Sequence, residues 1–463
     1  MEHTISSLSK KIHAGELSIK DVVSQYVSRA QADTLNVYRE VFSDIESQVA
    51  AAEAMLKGGT ATVLTGIPIA IKDNILFAGH KAGASSKILE HYTASYDSTV
   101  VKKLKAAGAI IIGRTNMDEF AMGSSTENSA YGVTKNPHDE TKVPGGSSGG
   151  SASAVAADMA VASLGSDTGG SIRQPASYTG TVGLLPTYGT VSRHGLMAMG
   201  SSLDVIGPMA KTVEDAELLF SIISGFDALD STSIQPEATA RTLTKKLAIP
   251  KGVRGSKGLD AEVSENFEAM ISSLEREGFT VDEVELPHFE HALAVYYILM
   301  PAEVSSNLAR FDGIRYGERV GEGNVHDIYG ATRGVLFGPE VRRRILLGTY
   351  VLSHGYYDAY YNKAVALRGI IRRELEGALK EYDAIITPTT PTPAFGIGEK
   401  AEDPVEMYLS DLFTVPANVA HHPALSVPSG KNAAGLPLGI QFIGARFDEA
   451  TLFALGKIVE NIR

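Results

Sequence analysis

One feature limits the possible folds more than any other. Ala152–Ala162 is a continuous Ala/Val-rich stretch held between two Gly/Ser clusters. The first cluster is Pro144-Gly-Gly-Ser-Ser-Gly-Gly-Ser151, the second Gly165-Ser-Asp-Thr-Gly-Gly-Ser-Ile-Arg-Gln-Pro175. Such composition can mark a low-complexity linker, but a linker stays polar. Ala and Val on every side of a helix require close burial. The stretch therefore reads as a continuous buried helix with the clusters wrapped on it as loops. A chain of 463 residues, 44% apolar and 21% charged, can bury the core that such a helix needs. The same proportions exclude a disordered chain.

The rest of the chain reads as α/β. Residues 4–30 form a helical opening, with apolar residues at Ile5, Leu8, Ile12 and again at Val22, Val23, Tyr26, Val27. Thr4 and Ser18 are placed to cap its two helices. Ile45–Lys57 predicts a helix ended by Gly58-Gly59. Leu64–Lys72 is a buried strand, and the helix Ser98–Ala107 leads through Gly108 into a second, Ala109–Gly113. Residues 225–260 carry turn signals. The helix Glu262–Glu277 lies between strands at 247–250 and 280–286, and residues 290–380 are mostly helical. Tyr382–Pro388, Leu425–Val427 and Gly439–Phe442 are strands, and Ala450–Asn461 is a terminal helix. Length alone suggests about three domains at ~150 residues each, but no linker separates independent units, which favours one large α/β domain.

Composition removes several functions. With 42 basic and 54 acidic residues the net charge is −12, which argues against this chain gripping nucleic acid by a broad basic surface. A partner can still do so. The absence of cysteine excludes thiolate nucleophiles, thiolate zinc sites and disulfides. The first residues lack the apolar run of a signal peptide, and no run of ~18 apolar residues suggests a membrane span, so a cytoplasmic location is expected.

Several motifs are weak. Gly146-Ser-Ser148-Gly-Gly150 fits a nucleophile elbow, but Asp139–Pro144 makes a poor preceding strand. Asp167-Thr-Gly169 has no second copy to share a proton, as aspartic-protease chemistry requires. The glycine-rich loop lacks the P-loop order. His421-His422 has no supporting ligand nearby and reads as a surface or partner-facing pair.

Lys72 is more informative. It ends a strongly apolar strand, where desolvation lowers its pKa and favours a neutral amine that acts as a base. The bland alternative is a head group that reaches water or pairs with Asp73. Ser147 and Ser171 each follow Gly-Gly, a pairing that brings backbone close to a ligand and can aim several N–H groups at one point. Thr168-Gly-Gly-Ser171 thus suits an oxyanion hole beside a serine nucleophile.

Together these segments resemble the amidase signature family. The two clusters, the following Gly180-Thr-Val-Gly-Leu-Leu-Pro-Thr187, the 24-residue spacing from Ser147 to Ser171, and Lys72 within Pro-Ile-Ala-Ile-Lys-Asp-Asn carry the likeness. The resemblance implies a central mixed β-sheet covered by helices on both faces. Residues 1–60 would be N-terminal helices packed on a domain of residues 61–463. It implies a Ser–Ser–Lys triad: Ser171 the nucleophile, Ser147 the proton relay following a cis peptide, Lys72 the final base. Thr168, Gly169 and Gly170 would hold the oxyanion.

Within the family the chain is most similar to the glutaminase (A-type) subunits of tRNA-dependent amidotransferases. Asp118–Asn128, Ala302–Gly317 and Gly348–Tyr360 carry that likeness. It implies hydrolysis of glutamine, with ammonia passed to a B subunit that uses ATP and Mg to amidate misacylated tRNA, alongside a C subunit. This chain itself would carry no cofactor and no metal. Motif matching places Arg344 on the glutamine carboxylate, with Arg342 and Arg343 competing. It places Asp411 on the ammonium and Tyr296 nearby, with Tyr297 as the alternative. Three features depart from the pattern: His421-His422 stands where Gly-Leu is usual, Asn136-Pro-His138 lacks the usual Trp, and the chain is somewhat short. A stand-alone amidase for aliphatic or aryl amides and a scaffold with a dead site are the competing readings.

Overall fold

The computed structural model describes residues 3–235 and 241–463. The Thr4 hydroxyl accepts from the Ser7 N–H at 3.0 Å and starts the helix Ile5–His13. Ser18 does the same for Ile19–Gln31 through Asp21, also at 3.0 Å. The apolar faces of both helices are buried in the same core as the strand residues Ile69 and Ile111. The helix Ile45–Lys57 stops at Gly58, as its sequence predicts.

Among the described residues, eleven strands form one sheet: β1 Tyr38–Val41, β2 Pro68–Lys72, β3 Ile110–Thr115, β4 Ala162–Asp167, β5 Val182–Leu185, β6 Val205–Ala210, β7 Lys246–Pro250, β8 Thr280–Val284, β9 Ala384–Pro388, β10 Ala424–Lys431 and β11 Pro437–Gly444. Their order is β1-β3-β2-β4-β6-β5-β10-β11-β9-β7-β8. β2 runs parallel to β3 and β4, and β7 parallel to β8 and β9, while the remaining pairs are antiparallel. The sheet is therefore mixed. Every residue of β2 through β6 is buried. Successive side chains point to opposite faces, so both faces are covered.

The small-residue stretch needs correction. Its helix spans Gly149–Ala156 and does not run on to Ala162. Asp158 takes a left-handed conformation (φ 56°) and its carboxylate binds Arg29, Lys211 and the Tyr26 hydroxyl. These contacts fix a turn, and the chain re-emerges as β4. An Ala/Val run has no periodicity with which to tell buried helix from buried strand. β4 itself reads Ala-Ser-Leu-Gly-Ser-Asp, with no β-branched residue to announce it. Its small side chains answer a packing need: a Cβ on Gly165 would lie 2.9 Å from Ser148 Oγ.

Candidate active site

Lys72 ends β2, an interior strand third from one edge of the sheet. Its side chain is fully buried, and Asp73 pairs instead with Arg114 at 2.5 Å. Neither water nor Asp73 takes the ammonium, so the bland alternative is excluded. Its Nζ lies 2.7 Å from Ser147 Oγ, 2.9 Å from Ser166 Oγ and 3.2 Å from the Ser166 carbonyl. All three partners are uncharged. Burial pushes the lysine down to about 7, against the fields of Asp118, Asp167 and Asp204. A large share of it is a free amine at neutral pH, able to accept a proton from Ser147.

Ser147 follows a cis peptide from Gly146. Only glycine fits at 146, because a Cβ would lie 2.1 Å from Asp118 Oδ2 and 2.5 Å from the Ser125 nitrogen. Ser171 lies beside this segment, its carbonyl accepting the Ser148 N–H at 3.1 Å. Lys72 and Ser147 are wholly buried, whereas Ser171 is 8% exposed. Its hydroxyl forms no hydrogen bond among the described residues. The base and the relay are walled off while the residue carrying the free hydroxyl reaches the surface of the site, as a proton path from an accessible nucleophile to a buried base requires.

The loop before Ser171 hangs on Asp167. Its carboxylate accepts from Gly170 N–H at 2.6 Å, Ile172 N–H at 3.2 Å, Asn418 Nδ2 at 2.8 Å and Arg173 Nε at 3.1 Å. The Arg173 charge and these donors outweigh burial and hold the acid ionised. This corrects the oxyanion assignment. The Gly170 N–H, at φ 130°, donates to Asp167 instead. Thr168, Gly169 and Ser171 keep N–H groups unbonded among the described residues.

Arg344 is 3% exposed, while Arg342 and Arg343 are exposed, so of the three only Arg344 lies inside the protein. Glu340 takes Arg344 Nε at 2.7 Å, and the guanidinium lies 5.6 Å from the rings of Tyr297 and Tyr408. Asp411 is buried, accepting from the Ser124 hydroxyl at 3.0 Å and the Tyr297 hydroxyl at 2.9 Å. Burial raises it to about 7, against those hydrogen bonds and the Arg344 charge. The two tyrosines have separate places. Tyr297 bridges toward Asp411, and Tyr296 lies against the loop, 2.6 Å from where a Gly169 Cβ would stand. A cavity of 210 Å³ opens here, lined by Ser125, Asn128, Glu340, Arg344, Lys400 and Tyr408. Neither this cavity nor a larger one of 620 Å³, between 251–257, 285–293 and 409–413, is lined by a triad residue.

His421 and His422 do not form a surface pair. His421 stacks on Tyr188 at 4.4 Å, and His422 is buried with Nδ1 at 2.8 Å from the Gly444 carbonyl. Burial, with Arg372 and Arg446 close by, holds both far below the usual imidazole range. No group of three His, Asp or Glu among the described residues could hold a metal ion. Among the same residues no helix is long and apolar enough to cross a membrane.

Sequence reading missed Ser166, Asp118, Asp167, Gln174 and Asp204 as parts of the site. A signal was present for the acids: a charge in a glycine-rich, otherwise uncharged stretch must have a buried partner.

The amidase family profile matches residues 21–453. The chain belongs to the amidase family. Among its relatives is the A-type subunit of a glutamyl-tRNA(Gln) amidotransferase from Geobacillus thermodenitrificans, 50% identical over 474 residues, with 99% of this chain and 97% of that protein covered. The corresponding protein of Syntrophus aciditrophicus is 48% identical over 472 residues, with 99% and 96% covered. The crystal structure of the same A-type component from Thermotoga maritima superposes with a TM-score of 0.75 at 48% identity, covering 87% of this chain and 84% of that one. A peptide amidase from Stenotrophomonas maltophilia gives 0.82 at 27% identity, covering 99% and 96%. The fold is thus shared across amidases of different substrates, and substrate must be argued from the pocket.

Proposed function

We propose that this chain is the glutaminase subunit of a tRNA-dependent amidotransferase. Ser171 Oγ attacks the side-chain amide carbon of glutamine. Its proton passes to Ser147, whose own proton passes to the neutral Lys72 amine. The N–H groups of Thr168, Gly169 and Ser171 stabilise the oxyanion, each such donor contributing about 3 kcal/mol to the barrier. The C–N bond breaks as the stored proton returns to the leaving nitrogen, giving ammonia and a glutamyl ester on Ser171. Water then opens the ester by the same proton path.

The observation that carries this reading over an apolar-amide hydrolase is the buried pair of ionisable side chains, Arg344 and Asp411, held on Tyr297 beside the glycine loop. An amino-acid amide brings one carboxylate and one ammonium, and burying those charges requires a partner for each. Glu340 engages only Nε of Arg344, which leaves Nη2 for the substrate carboxylate. Ammonia is handed to a B subunit, where ATP and Mg would activate Glu-tRNA(Gln) or Asp-tRNA(Asn), with a C subunit completing the assembly.

The test is a glutaminase assay of the chain alone and co-purified with B- and C-subunit homologues, with and without ATP and misacylated tRNA. Glutamine turnover that rises in the complex supports the proposal. Fast hydrolysis of aliphatic or aryl amides with no response to partners would replace it with a stand-alone amidase.

A further inference from the structure

Gln174 lies three residues past Ser171, in the helix Arg173–Thr179, and is fully buried. Its carboxamide joins two loops. Oε1 accepts the Gly146 N–H at 2.8 Å, and Nε2 donates to the Ser124 carbonyl at 2.7 Å. A backbone N–H can only donate and a carbonyl can only accept, so the orientation of the amide is fixed by its partners. Its own N–H donates to the Gly170 carbonyl at 2.9 Å. Ser124 in turn donates its hydroxyl to Asp411 at 3.0 Å. A buried chain of bonds therefore runs from Asp411 through Ser124 and Gln174 to the peptide that carries Ser147. The fit has no slack, since a Cβ on Gly145 would lie 2.6 Å from Gln174 Oε1. A carboxamide offers one donor and one acceptor on a single rigid plane. An ionised carboxylate of the same shape keeps the acceptor and loses the donor.

We infer that Gln174 is a positioning residue: it locks the peptide bearing Ser147 so that this hydroxyl stays between Lys72 and Ser171, and it ties that register to the pocket wall formed by Ser124 and Asp411. The inference rests on the amide-hydrolysing role proposed for Lys72, Ser147 and Ser171. Gln174 touches no reacting atom and acts through Ser147.

The experiment uses the full chain with its co-purified partners and two variants, Gln174→Glu and Gln174→Met. Glutamine kcat and KM are followed from pH 5.5 to 9, together with the rate at which a sulfonyl fluoride labels Ser171. That reagent reports serine activation without using the glutamine pocket. At pH 8 both variants should lose on the order of 10- to 100-fold in kcat, as expected when a buried carbonyl is left without its donor, and labelling should slow by a similar factor. The ratio of Gln174→Glu to native should climb as pH falls, because the protonated acid regains a donor for Ser124. The Gln174→Met ratio should stay flat. Native kcat and labelling in either variant, or a pH-independent Gln174→Glu ratio, overturns the inference. If Gln174→Met does not fold, Gln174→Glu, which keeps the shape and the Gly146 bond, decides alone. A Ser171→Ala control separates the two levels: if it retains turnover, the catalytic reading fails, whereas if it is inactive while Gln174→Glu is normal, only the role of Gln174 fails.

Discussion

Replacing Lys72 with methionine should separate stability from activity. The lysine sits at about 7 in the folded chain against an ordinary value of 10.5. At 1.36 kcal/mol per pH unit, the gap corresponds to roughly 5 kcal/mol. Below pH 7 both folded and unfolded chains carry the proton, and the folded state bears the full cost of a buried cation. Between pH 7 and 10.5 the unfolded chain holds a proton that the folded chain has released, so stability rises with pH across this window and is flat on either side. Methionine fills similar space without a charge. Against that gain stand three lost hydrogen bonds at ~1 kcal/mol each. The Ser166 carbonyl keeps its bond from Ser148 at 3.1 Å and Ser166 Oγ keeps Asn74 at 2.9 Å, so only Ser147 loses its sole partner. The variant should therefore be more stable than native by about 2 kcal/mol at pH 6 and less stable by about 3 kcal/mol near pH 10.5, with the curves crossing near pH 8. Urea unfolding across that range locates the crossing, and amide turnover should fall by several decades throughout. A variant less stable than native at pH 6 refutes the claim that desolvation, not pairing, governs this lysine. Near-native turnover removes Lys72 from the chemistry.

Other outcomes follow from the same geometry. In the native enzyme kcat should rise with pH through about 7 and then level, since the neutral amine is the base; a rate that falls over that range contradicts the assignment. Asp411→Asn should raise KM for glutamine more than tenfold while leaving an amide without an ammonium group nearly unchanged, which parallel steady-state assays would measure. Gly169→Ala puts a Cβ 2.6 Å from the Tyr296 ring and should lower kcat/KM about 100-fold, as a displacement near 1 Å does; partial recovery on adding Tyr296→Leu tests that the clash is the cause. His421 holds φ 63° at a helix end. His421→Gly relieves that strain but loses the Tyr188 stack, so its stability should stay within about 1 kcal/mol of native, with His421→Ala the weaker in thermal melts.

The sequence disclosed the chemistry more readily than the architecture. Thr4 and Ser18 announced helix starts because capping is local, decided within three residues. Lys72, Ser147 and Ser171 stood out through the likeness of their segments to the amidase signature pattern; taken singly, each also fits a solvated lysine or a flexible Gly-Gly-Ser turn. β4 was hidden because its role is to be thin. β1, the edge strand pairing with β3, offers only four residues, Tyr-Arg-Glu-Val, with too little alternation to stand out. Arg344 could not be told from Arg342 and Arg343 by sequence, since the choice depends on which face of the helix Pro339–Val351 meets Tyr297 and Tyr408. The imidazoles at 421 and 422 misled for the opposite reason. Polar side chains read as surface, yet the carbonyls of Ser202 and Gly444 bind them at 2.7 and 2.8 Å.

The pKa of the lysine is the property these parts share. Three acids lie close enough to Lys72 for their fields to raise it, yet none forms an ion pair with it. Each is already engaged. Asp118 takes the N–H groups of Thr126 and Asn128; Asp167 takes Arg173 and the glycine loop; Asp204 takes the Thr168 hydroxyl and the N–H groups of Met199 and Gly200. An acid in direct contact would fix the proton on the lysine, and the base would be lost. With no acids nearby, burial would drive the amine further down, leaving it too weak to draw a proton from a hydroxyl. The same bonds that divert the acids also shape the loops holding Ser147 and Ser171, so the lysine's basicity and the geometry it serves are set by one network.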